Sequence, residues 1–402
     1  MKIRVCVVFG GESVEHEVSI ISAVQAMYKI DTEKYEVIPV YITKDRKWYT
    51  GEILKDMETY QDMDLLKRYT KEVVLYEKDG HFVLQTKGLF KRVVKEVDIV
   101  FPIVHGTNVE DGTLQGYLQS IGVPYVGVDV YSGVVGQDKV FMKDIFKQND
   151  INVPDYVWFY DTDYEEDREA TIEKITKKLK FPVIVKPATL GSSVGIQKAD
   201  NKEELIEAID DAIRYDKKII VEKLIKNLVE VNISVVGNYE TQSLSAIEKV
   251  MATKDILTYQ DKYLGSGKTK GKLKTPVKSQ GMASTTREIP AKIKDEARQK
   301  VEQMAKDAFK ALGCSGVVRI DFLIDEKKGD VYVNEVNSIP GSLSFYLWDA
   351  VGKDYTTLLD EVINIGIRDY KKRISKTHSF ETNILKGFSE FGGAKGSKSK
   401  LR

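Results

Sequence analysis

Short apolar runs alternate with amphipathic segments through the first third of the chain, and this alternation restricts the possible folds more than any other feature. Apolar runs at Lys2–Phe9, Tyr35–Thr43 and Asp98–Val104 predict strands, and helical periodicity predicts helices at Glu17–Tyr28 and Asp111–Ile121. Strands and helices that alternate at this spacing are typical of β–α–β units, in which the strands run parallel. The sequence therefore predicts an α/β fold with a parallel sheet at its N-terminus.

The rest of the chain predicts further α/β units and two aperiodic segments. Residues 131–149 predict one long amphipathic helix, and residues 151–225 predict strand, helix, strand, loop, helix and strand in that order. Residues 264–286 are polar and lysine-rich, which favours either a lid over phosphates or a solvated loop. The predicted division is an N-terminal domain at 1–140, further units at 141–225 and 226–373, and a flexible tail at 374–402.

The charge balance and the cysteine content limit the classes of partner and the compartment. Lys plus Arg and Asp plus Glu both number 61, so no overall charge attracts nucleic acid or an anionic membrane. No run approaches the ~20 apolar residues of a membrane helix. Cys6 and Cys314 are too few for a disulfide framework, so a reducing, cytoplasmic location is expected. We therefore expect neither a nucleic-acid nor a membrane partner.

Two strand-like segments in the C-terminal third carry the strongest chemical pattern. Arg319 and Asp321 lie two apart on the first segment, as Glu335 and Asn337 do on the second, so each pair shares one face of its strand. If the segments pair as a hairpin, two carboxylates and an amide oxygen meet, and such donors suit Mg²⁺ bound together with phosphates. The adjacent arginine suits a developing anion. The alternative is a surface hairpin with ordinary ion pairs.

Two loops in the first domain are further candidates. The Gly-Gly pair at 10–11 separates a strand from a helix, where backbone amides can bind an anion or simply form a tight turn. Glu15 lies near the start of that helix, where an acid is either functional or a favourable partner of the helix dipole. His105 follows a buried-looking strand, which is a common site position in α/β sheets, although it can also cap a turn. With four histidines in the chain, no zinc site is expected.

Residues 181–225 predict a place for phosphate and a base. Lys186 lies on a strand, and the Gly-Ser-Ser-Val-Gly loop at 191–195 offers amides and hydroxyls that can wrap phosphate oxygens. A strand at 219–225 contains Glu222 and bends toward Glu230, where polar atoms can contact adenine and ribose. Neither a Walker pattern nor a G-x-G-x-x-G dinucleotide fingerprint is present.

Together these segments resemble the ATP-grasp superfamily and, within it, the D-alanine–D-alanine ligases. The resemblance implies a three-domain ATP-grasp fold with an N-terminal Rossmann-like domain, and ATP bound between the central and C-terminal domains. The segments that carry it follow the family's order: GGESVEHEVSIISA (10–23), HGTNVEDGTLQG (105–116), GQDKVFMK (136–143), FPVIVKPATLGSSVGI (181–196), IIVEKLI (219–225), YQDKYLG (259–265), GCSGVVRIDF (313–322) and NEVNSIPG (334–341).

The resemblance also implies an activity, its cofactors and an assembly. The family's reaction phosphorylates the carboxylate of one D-alanine with ATP, and the amine of a second D-alanine then attacks the acyl phosphate. The product is a precursor for peptidoglycan. The implied cofactors are ATP and two Mg²⁺ ions, with Mn²⁺ as a substitute, and the implied assembly is a homodimer. Positioning and charge neutralisation dominate such phosphoryl transfer.

The matched positions divide into metal, oxyanion and nucleotide groups. The resemblance assigns the metal to Asp321, Glu335 and Asn337, and the tetrahedral oxyanion to Arg319 and the backbone of Gly341. The nucleotide-binding positions that it implies are Lys139, Lys186, Ser193 and Lys262 around the phosphates, Glu222, Lys223 and Leu224 at adenine, and Glu230 at ribose.

The substrate positions come from the same matches. Glu15 matches the acid that holds the first ammonium group, and Ser192 and Tyr263 match its hydrogen-bonded partners. His105 matches a pocket histidine, and the acceptor side is assigned to the segment with Tyr346 and Leu347. Relatives that use lactate lack the lid tyrosine, so Tyr263 favours an amine as the nucleophile.

Two departures from the family pattern leave the acceptor open. Val109 stands where the family usually has a glycine, which predicts a remodelled turn if that position needs a positive φ. Tyr346 stands at a position that usually carries a serine, so the alternative is a sister ligase with another amine acceptor. An ATP-binding sensor without catalysis is a third possibility, which the retained metal and arginine positions disfavour. A carboxylase would not need Glu15, His105 or Tyr263.

Overall fold

The N-terminal part of the protein is built on a seven-stranded sheet. The computed structural model describes residues 2–191, 194–250 and 287–379. The sheet order is β6-β5-β4-β3-β2-β1-β7, and β1 runs parallel to both β2 and β7. The strands are β1 (Ile3–Gly10), β2 (Tyr35–Ile42), β3 (Trp48–Thr50), β4 (Lys71–Lys78), β5 (His81–Thr86), β6 (Val93–Val97) and β7 (Ile99–Pro102).

The helices of this part follow the predicted alternation. Helix α1 connects the parallel strands β1 and β2, and α3 connects β7 to an isolated parallel bridge at Tyr125, so the predicted α/β class is confirmed. Residues between β2 and β6 add antiparallel strands to one side of the sheet. The helices are α1 (His16–Lys29), α2 (Met63–Tyr69) and α3 (Thr113–Ser120), with short 3₁₀ turns at Glu52–Lys55 and Met57–Gln61.

A four-stranded antiparallel sheet forms the central part. Its order is β10-β9-β11-β8, with β11 paired to both β8 and β9. The strands are β8 (Tyr156–Tyr160), β9 (Val183–Pro187), β10 (Gln197–Ala199) and β11 (Lys218–Lys223). The helices are α4 (Val130–Gln137), α5 (Lys139–Gln148), α6 (Asp161–Glu166), α7 (Arg168–Lys178) and α8 (Lys202–Ala212).

A five-stranded antiparallel sheet forms the C-terminal part, in the order β14-β13-β12-β15-β16. Its strands are β12 (Leu228–Gly237), β13 (Gln242–Val250), β14 (Arg287–Glu288), β15 (Gly316–Asp325) and β16 (Asp330–Asn337). The helices are α9 (Asp295–Ala311), α10 (Phe345–Asp349) and α11 (Tyr355–Ile374), and a 3₁₀ turn covers Gly341–Ser344. Among the described residues, no helix is both long and apolar enough to cross a membrane.

The prediction of one long helix at residues 131–149 is wrong in one respect, because the helix is interrupted at Asp138. This residue has an extended backbone, with φ −84° and ψ 106°, between α4 and α5. Its carboxylate accepts hydrogen bonds from the amides of Val140 and Phe141 and caps α5. The same carboxylate pairs with buried Lys218 at 2.8 Å. Apolar periodicity alone does not reveal a cap that interrupts it.

The last helix returns to the N-terminal sheet. Leu358 and Val362 of α11 belong to the same buried apolar cluster as Val5 of β1 and Val24 of α1. Helix α11 thus shares the core of the first sheet although it lies at the far end of the described chain. The domain limits drawn from the sequence stay predictions.

Gly366 of α11 packs against the backbone at Tyr125 and Val126. A methyl group there would lie 2.9 Å from the carbonyl oxygen of Tyr125, so we expect Gly366→Ala to lower the free energy of unfolding by about 1–3 kcal/mol. Gly116 of α3 is the matched control. Apart from its chain neighbours and the nearby backbone of its own helix, no described atom lies within 4 Å of an added methyl group there. Gly116→Ala should be neutral or stabilise by up to about 1 kcal/mol. Chemical denaturation measures both, and equal effects would contradict this packing.

Candidate active site

A row of four polar side chains crosses the C-terminal sheet. In register from β13 to β16, Glu248 lies opposite Asn232, Asn232 opposite Asp321, and Asp321 opposite Glu335. Residues opposite each other on paired strands project to the same face. The hairpin predicted from the sequence therefore forms, and it brings the two predicted carboxylates together. Glu248 and Asn232 extend the row and were missed, because they lie on strands that showed no motif.

A β-bulge at Asn334 creates this alignment. The register shifts between β15 and β16, so that Phe322 pairs with Val333 and Asp321 pairs with Glu335. A bulge adds one unpaired residue and reverses which face the following side chains occupy. The sequence signal was the spacing of the buried valines at 331, 333 and 336, which breaks strict alternation after the second. Without the bulge, Glu335 would not face the side of Asp321.

Arg319 and Asp321 form a two-bonded ion pair. The guanidinium donates to both carboxylate oxygens, at 2.7 Å from Nε and 2.8 Å from Nη2. Burial alone would lower the pKa of Arg319, but the charge and hydrogen bonds of Asp321 outweigh it and raise that pKa. Asn337 lies opposite Arg319 in the ladder. A fixed cation is thus held beside the two predicted metal-binding carboxylates.

The chemistry of these donors fits Mg²⁺. Each carboxylate oxygen has more than one lone-pair site, so the bonds from Arg319 leave Asp321 able to accept a cation. Among the described residues, no group of three His, Cys, Asp or Glu has metal-binding geometry. Two carboxylates and an amide are instead the incomplete oxygen set that Mg²⁺ completes with water and phosphates.

Buried lysines from the central part face this row. Lys186 Nζ donates to Glu222 Oε2 at 2.8 Å and to Asn334 Oδ1 at 3.2 Å. Lys143, which the sequence analysis missed, lies 3.1 Å from Glu222 Oε1. Burial acts against the charge of Lys186, but Glu222 outweighs it and raises the pKa of this lysine. Burial would likewise raise the pKa of Glu222, but the two lysines lower it to about 2.

Lys139 supports the loop that follows β9. Its ammonium donates to the carbonyl of Leu190 at 2.8 Å, and its amide donates to the carbonyl of Ala188 at 3.0 Å. Burial lowers the pKa of Lys139, and the nearby charge of Lys186 acts in the same direction. Two buried ammonium groups held close together favour an anion between them. Lys139 and Lys186 thus place two buried ammonium groups near the start of the loop.

Several polar groups of the predicted adenine segment bond to other parts of the protein. The Glu222 carboxylate is committed to the two lysines, and the amides of Lys223 and Leu224 donate to the carbonyls of Asp155 and Pro182. Glu230, the predicted ribose contact, lies further along on β12.

Glu15 lies near Gly106 in the N-terminal part, and its role at the substrate ammonium stays a prediction. A methyl group on Gly106 would approach Glu15 Oε2 to 3.0 Å, and the φ of 84° at this position also favours glycine. Glu110, which was missed, accepts from the Gly106 amide at 2.8 Å and the Ile339 amide at 3.1 Å. Burial, followed by the charge of Glu15, raises the pKa of Glu110 to about 8. The sequence feature that could have identified Glu110 is its position as an acid five residues after His105.

His105 connects the N-terminal part to the segment after β16 through hydrogen bonds. A carbonyl can only accept, so Nδ1 donates to Ile339 O at 2.7 Å, and neutral Nε2 accepts from the Ser22 hydroxyl at 2.8 Å. The same Ser22 oxygen accepts from the Ser342 amide at 2.9 Å. Burial lowers the pKa of His105, which agrees with a neutral ring. Both ring nitrogens are thus used within the protein.

The segment after Gly341 is strained and held from outside. Ser342, Leu343 and Ser344 have φ of 50°, 51° and 52°, in a region that side chains rarely occupy. The Ser342 hydroxyl donates to Gln25 Oε1 of α1 at 2.7 Å, in addition to the bond from its amide to Ser22. Contacts with α1 therefore help to fix the backbone at Gly341.

The Tyr346 hydroxyl donates its proton within the protein. The phenol donates to Glu248 Oε2 at 3.3 Å, and the guanidinium of Arg287 lies 4.7 Å from the ring centroid. Arg287 also pairs with Glu248 at 3.2 Å. The neighbouring Leu347 has a fully buried side chain. The tyrosine therefore joins the polar row at Glu248.

Valine at position 109 predicted a remodelled turn, and the backbone angles of the loop explain why a valine fits there. The positive φ in this loop falls on Asn108, at 69°, and on Gly106 and Gly112, not on Val109. Asparagine tolerates that conformation better than a β-branched residue does. The predicted positions Ser192, Ser193, Lys262 and Tyr263 lie outside the described residues, so their assignments stay predictions.

Comparison with protein families and known proteins gives one consistent picture. The family model for the D-ala D-ala ligase N-terminus matches residues 4–128, and that for the D-ala D-ala ligase C-terminus matches residues 145–364. A D-alanine–D-alanine ligase of Thermosipho melanesiensis is 39% identical, over 96% of this chain and 98% of its own length. One of Clostridium acetobutylicum is 38% identical, over 91% and 98%.

Solved structures agree with these matches. The VanG D-Ala:D-Ser ligase from Enterococcus faecalis superposes with a TM-score of 0.75 and 31% identity, covering 91% of this chain and 100% of that one. The D-alanine–D-alanine ligase from Coxiella burnetii gives a TM-score of 0.76 and 25% identity, covering 97% and 99%.

The neutral state of His105 predicts a pH effect on stability. Its folded pKa lies below the ordinary value of 6.5, so its contribution is complete above that pH and is lost as the pH falls through the folded pKa. We expect His105→Gln to make the free energy of unfolding depend less on pH below about 6.5. The control is exposed His81, where His81→Gln should leave the slope unchanged. Urea titrations at several pH values measure this, and an unchanged slope in His105→Gln would refute it.

Proposed function

The chain belongs to the D-alanine–D-alanine ligase family, and from that premise we propose that it joins two D-alanines into D-alanyl-D-alanine for peptidoglycan precursors. It is an ADP-forming ligase by family. The observation that carries the proposal is the alignment of Asp321 and Glu335 in one row, faced by the buried ammonium group of Lys186. That arrangement suits a metal-bound nucleoside triphosphate.

The residue roles follow from this arrangement. Asp321, Glu335 and Asn337 would hold the magnesium ions, for which Mn²⁺ can substitute. Bound Mg²⁺ would neutralise the charge of the phosphates. Lys139 and Lys186 would bind phosphate oxygens as fixed cations. Their buried surroundings support these roles, because a cation screened from water interacts more strongly with an anion.

The reaction then needs two displacements. A carboxylate oxygen of the first D-alanine, with its ammonium held by Glu15, attacks the γ-phosphorus, and the bond to the β,γ-bridging oxygen breaks to release ADP. The amine of the second D-alanine attacks the acyl carbon, loses its proton to solvent, and expels inorganic phosphate. Arg319 and the Gly341 amide would stabilise the oxyanion of the tetrahedral intermediate. The strained turn fixed by Ser22 supports a rigid position for that amide.

The acceptor is the point at which a second activity remains open. Tyr346 is bound to Glu248, and a solved D-Ala:D-Ser ligase is among the similar structures. A sister ligase with a different small amine acceptor is therefore the alternative.

We further propose a cytoplasmic homodimer. Light scattering at the mass of one 45.5 kDa chain would exclude the dimer.

The direct test is ADP release with ATP, Mg²⁺ and D-alanine alone. We expect turnover with D-alanine, none with L-alanine, and loss of turnover when Mg²⁺ is removed with EDTA and its return when Mg²⁺ or Mn²⁺ is added. Mass spectrometry of the product should find D-alanyl-D-alanine. Turnover that starts only when a second amine, such as D-serine, is added would replace the dipeptide with the alternative. No ADP with any pair of amines would refute the ligase.

A further inference from the structure

Four polar groups from four different elements form a closed buried ring. Lys143 of α5 lies 3.1 Å from Glu222 Oε1 of β11, and its ammonium donates to the backbone oxygen of Asn334 at 3.2 Å. Lys186 of β9 donates to Glu222 Oε2 at 2.8 Å and to the side-chain oxygen of the same Asn334 at 3.2 Å. Two lysines therefore share one glutamate and one asparagine.

The ring is costly to bury. The side chain of Lys143 is 0% exposed, and those of Glu222 and Lys186 are 2% and 8% exposed. Two ammonium groups face one carboxylate, so one positive charge has no equal partner within the ring. An apolar side chain at position 143 would avoid the cost of removing an ammonium from water. A fold that needed only packing would not require this lysine.

The position of the ring connects it with the candidate site. Asn334 is the bulged residue that turns Glu335 toward Asp321. Lys143 holds the backbone of that bulge, and through Glu222 it also limits where the ammonium of Lys186 can lie. Because Lys143 is fully enclosed, it is not placed to touch a substrate itself.

We propose that Lys143 is a positioning residue of the nucleotide site, which fixes the Lys186 ammonium and the Asn334 bulge in the relative positions that bind ATP with its metal. The proposal rests on the ligase function proposed above. It goes beyond that function because it assigns Lys143 and Asn334 a role through Lys186 and Glu335. The consequence is a specific loss of nucleotide affinity when the ring is opened.

The experiment compares three variants with the wild type. Lys143→Met opens the ring, Lys143→Arg keeps the charge and the donors, and Lys147→Met is the matched control one turn along α5. The Lys147 ammonium lies 3.9 Å from the Tyr156 ring centroid, outside the ring of four. For each, steady-state kinetics gives KM for ATP and for D-alanine, and calorimetry gives the Kd of ADP with Mg²⁺ in the absence of turnover.

We expect Lys143→Met to raise KM for ATP and the Kd of ADP by about 10–100-fold, while KM for D-alanine changes by less than about threefold. Lys143→Arg should recover most of the affinity, and Lys147→Met should match the wild type. Equal affinities for ADP in Lys143→Met and the wild type would overturn the proposal. So would a uniform loss of kcat with both KM values unchanged, which indicates a purely structural role.

Asn334→Ala keeps the proposal testable if Lys143→Met does not fold. It removes only the side-chain oxygen that Lys186 contacts, and it should also raise the Kd of ADP; an unchanged Kd would overturn the proposal. A failure of the proposed function looks different. Wild-type protein that binds ADP and Mg²⁺ without forming product refutes the ligase, whereas the ring is judged from the variants' affinities.

Discussion

The bulged pairing of β15 with β16 is the constraint on which the rest of the site depends. It places Glu335 opposite Asp321 and leaves Asn334 to face the lysines of the central part. An ordinary antiparallel register would put Glu335 on the opposite face, where valines 331 and 333 pack into the core. One extra residue therefore decides whether the acids of one sheet and the cations of another can face the same space.

The second constraint is the contact between the N-terminal part and the Pro-Gly segment. His105 and Ser22 bond to Ile339 and Ser342, and Ser342 begins a strained left-handed turn that runs to Ser344. Strain of this kind persists only where surrounding bonds compensate for it. The N-terminal part therefore helps to shape the backbone at the proposed oxyanion site.

Sequence patterns predicted the α/β alternation and the hairpin, because both depend on local periodicity, whereas the shared face of Asp321 and Glu335 depends on the bulge at Asn334. They failed where distant residues decide the outcome. The cap at Asp138 interrupts an apolar period, and Lys143 reveals nothing until the strand with Glu222 lies beside it. The assignment of His105 to a substrate pocket stays a prediction, and only the folded chain shows that both its ring nitrogens are occupied.

The most direct measurement is a crystal structure of the protein with ADP, Mg²⁺ and D-alanine. The account predicts metal density between Asp321 and Glu335, a phosphate oxygen within hydrogen-bond distance of the Lys186 ammonium, and the substrate ammonium at Glu15. Nucleotide phosphates bound away from both Lys186 and the polar row would contradict the central claim, because the bulged hairpin would then have no part in binding ATP.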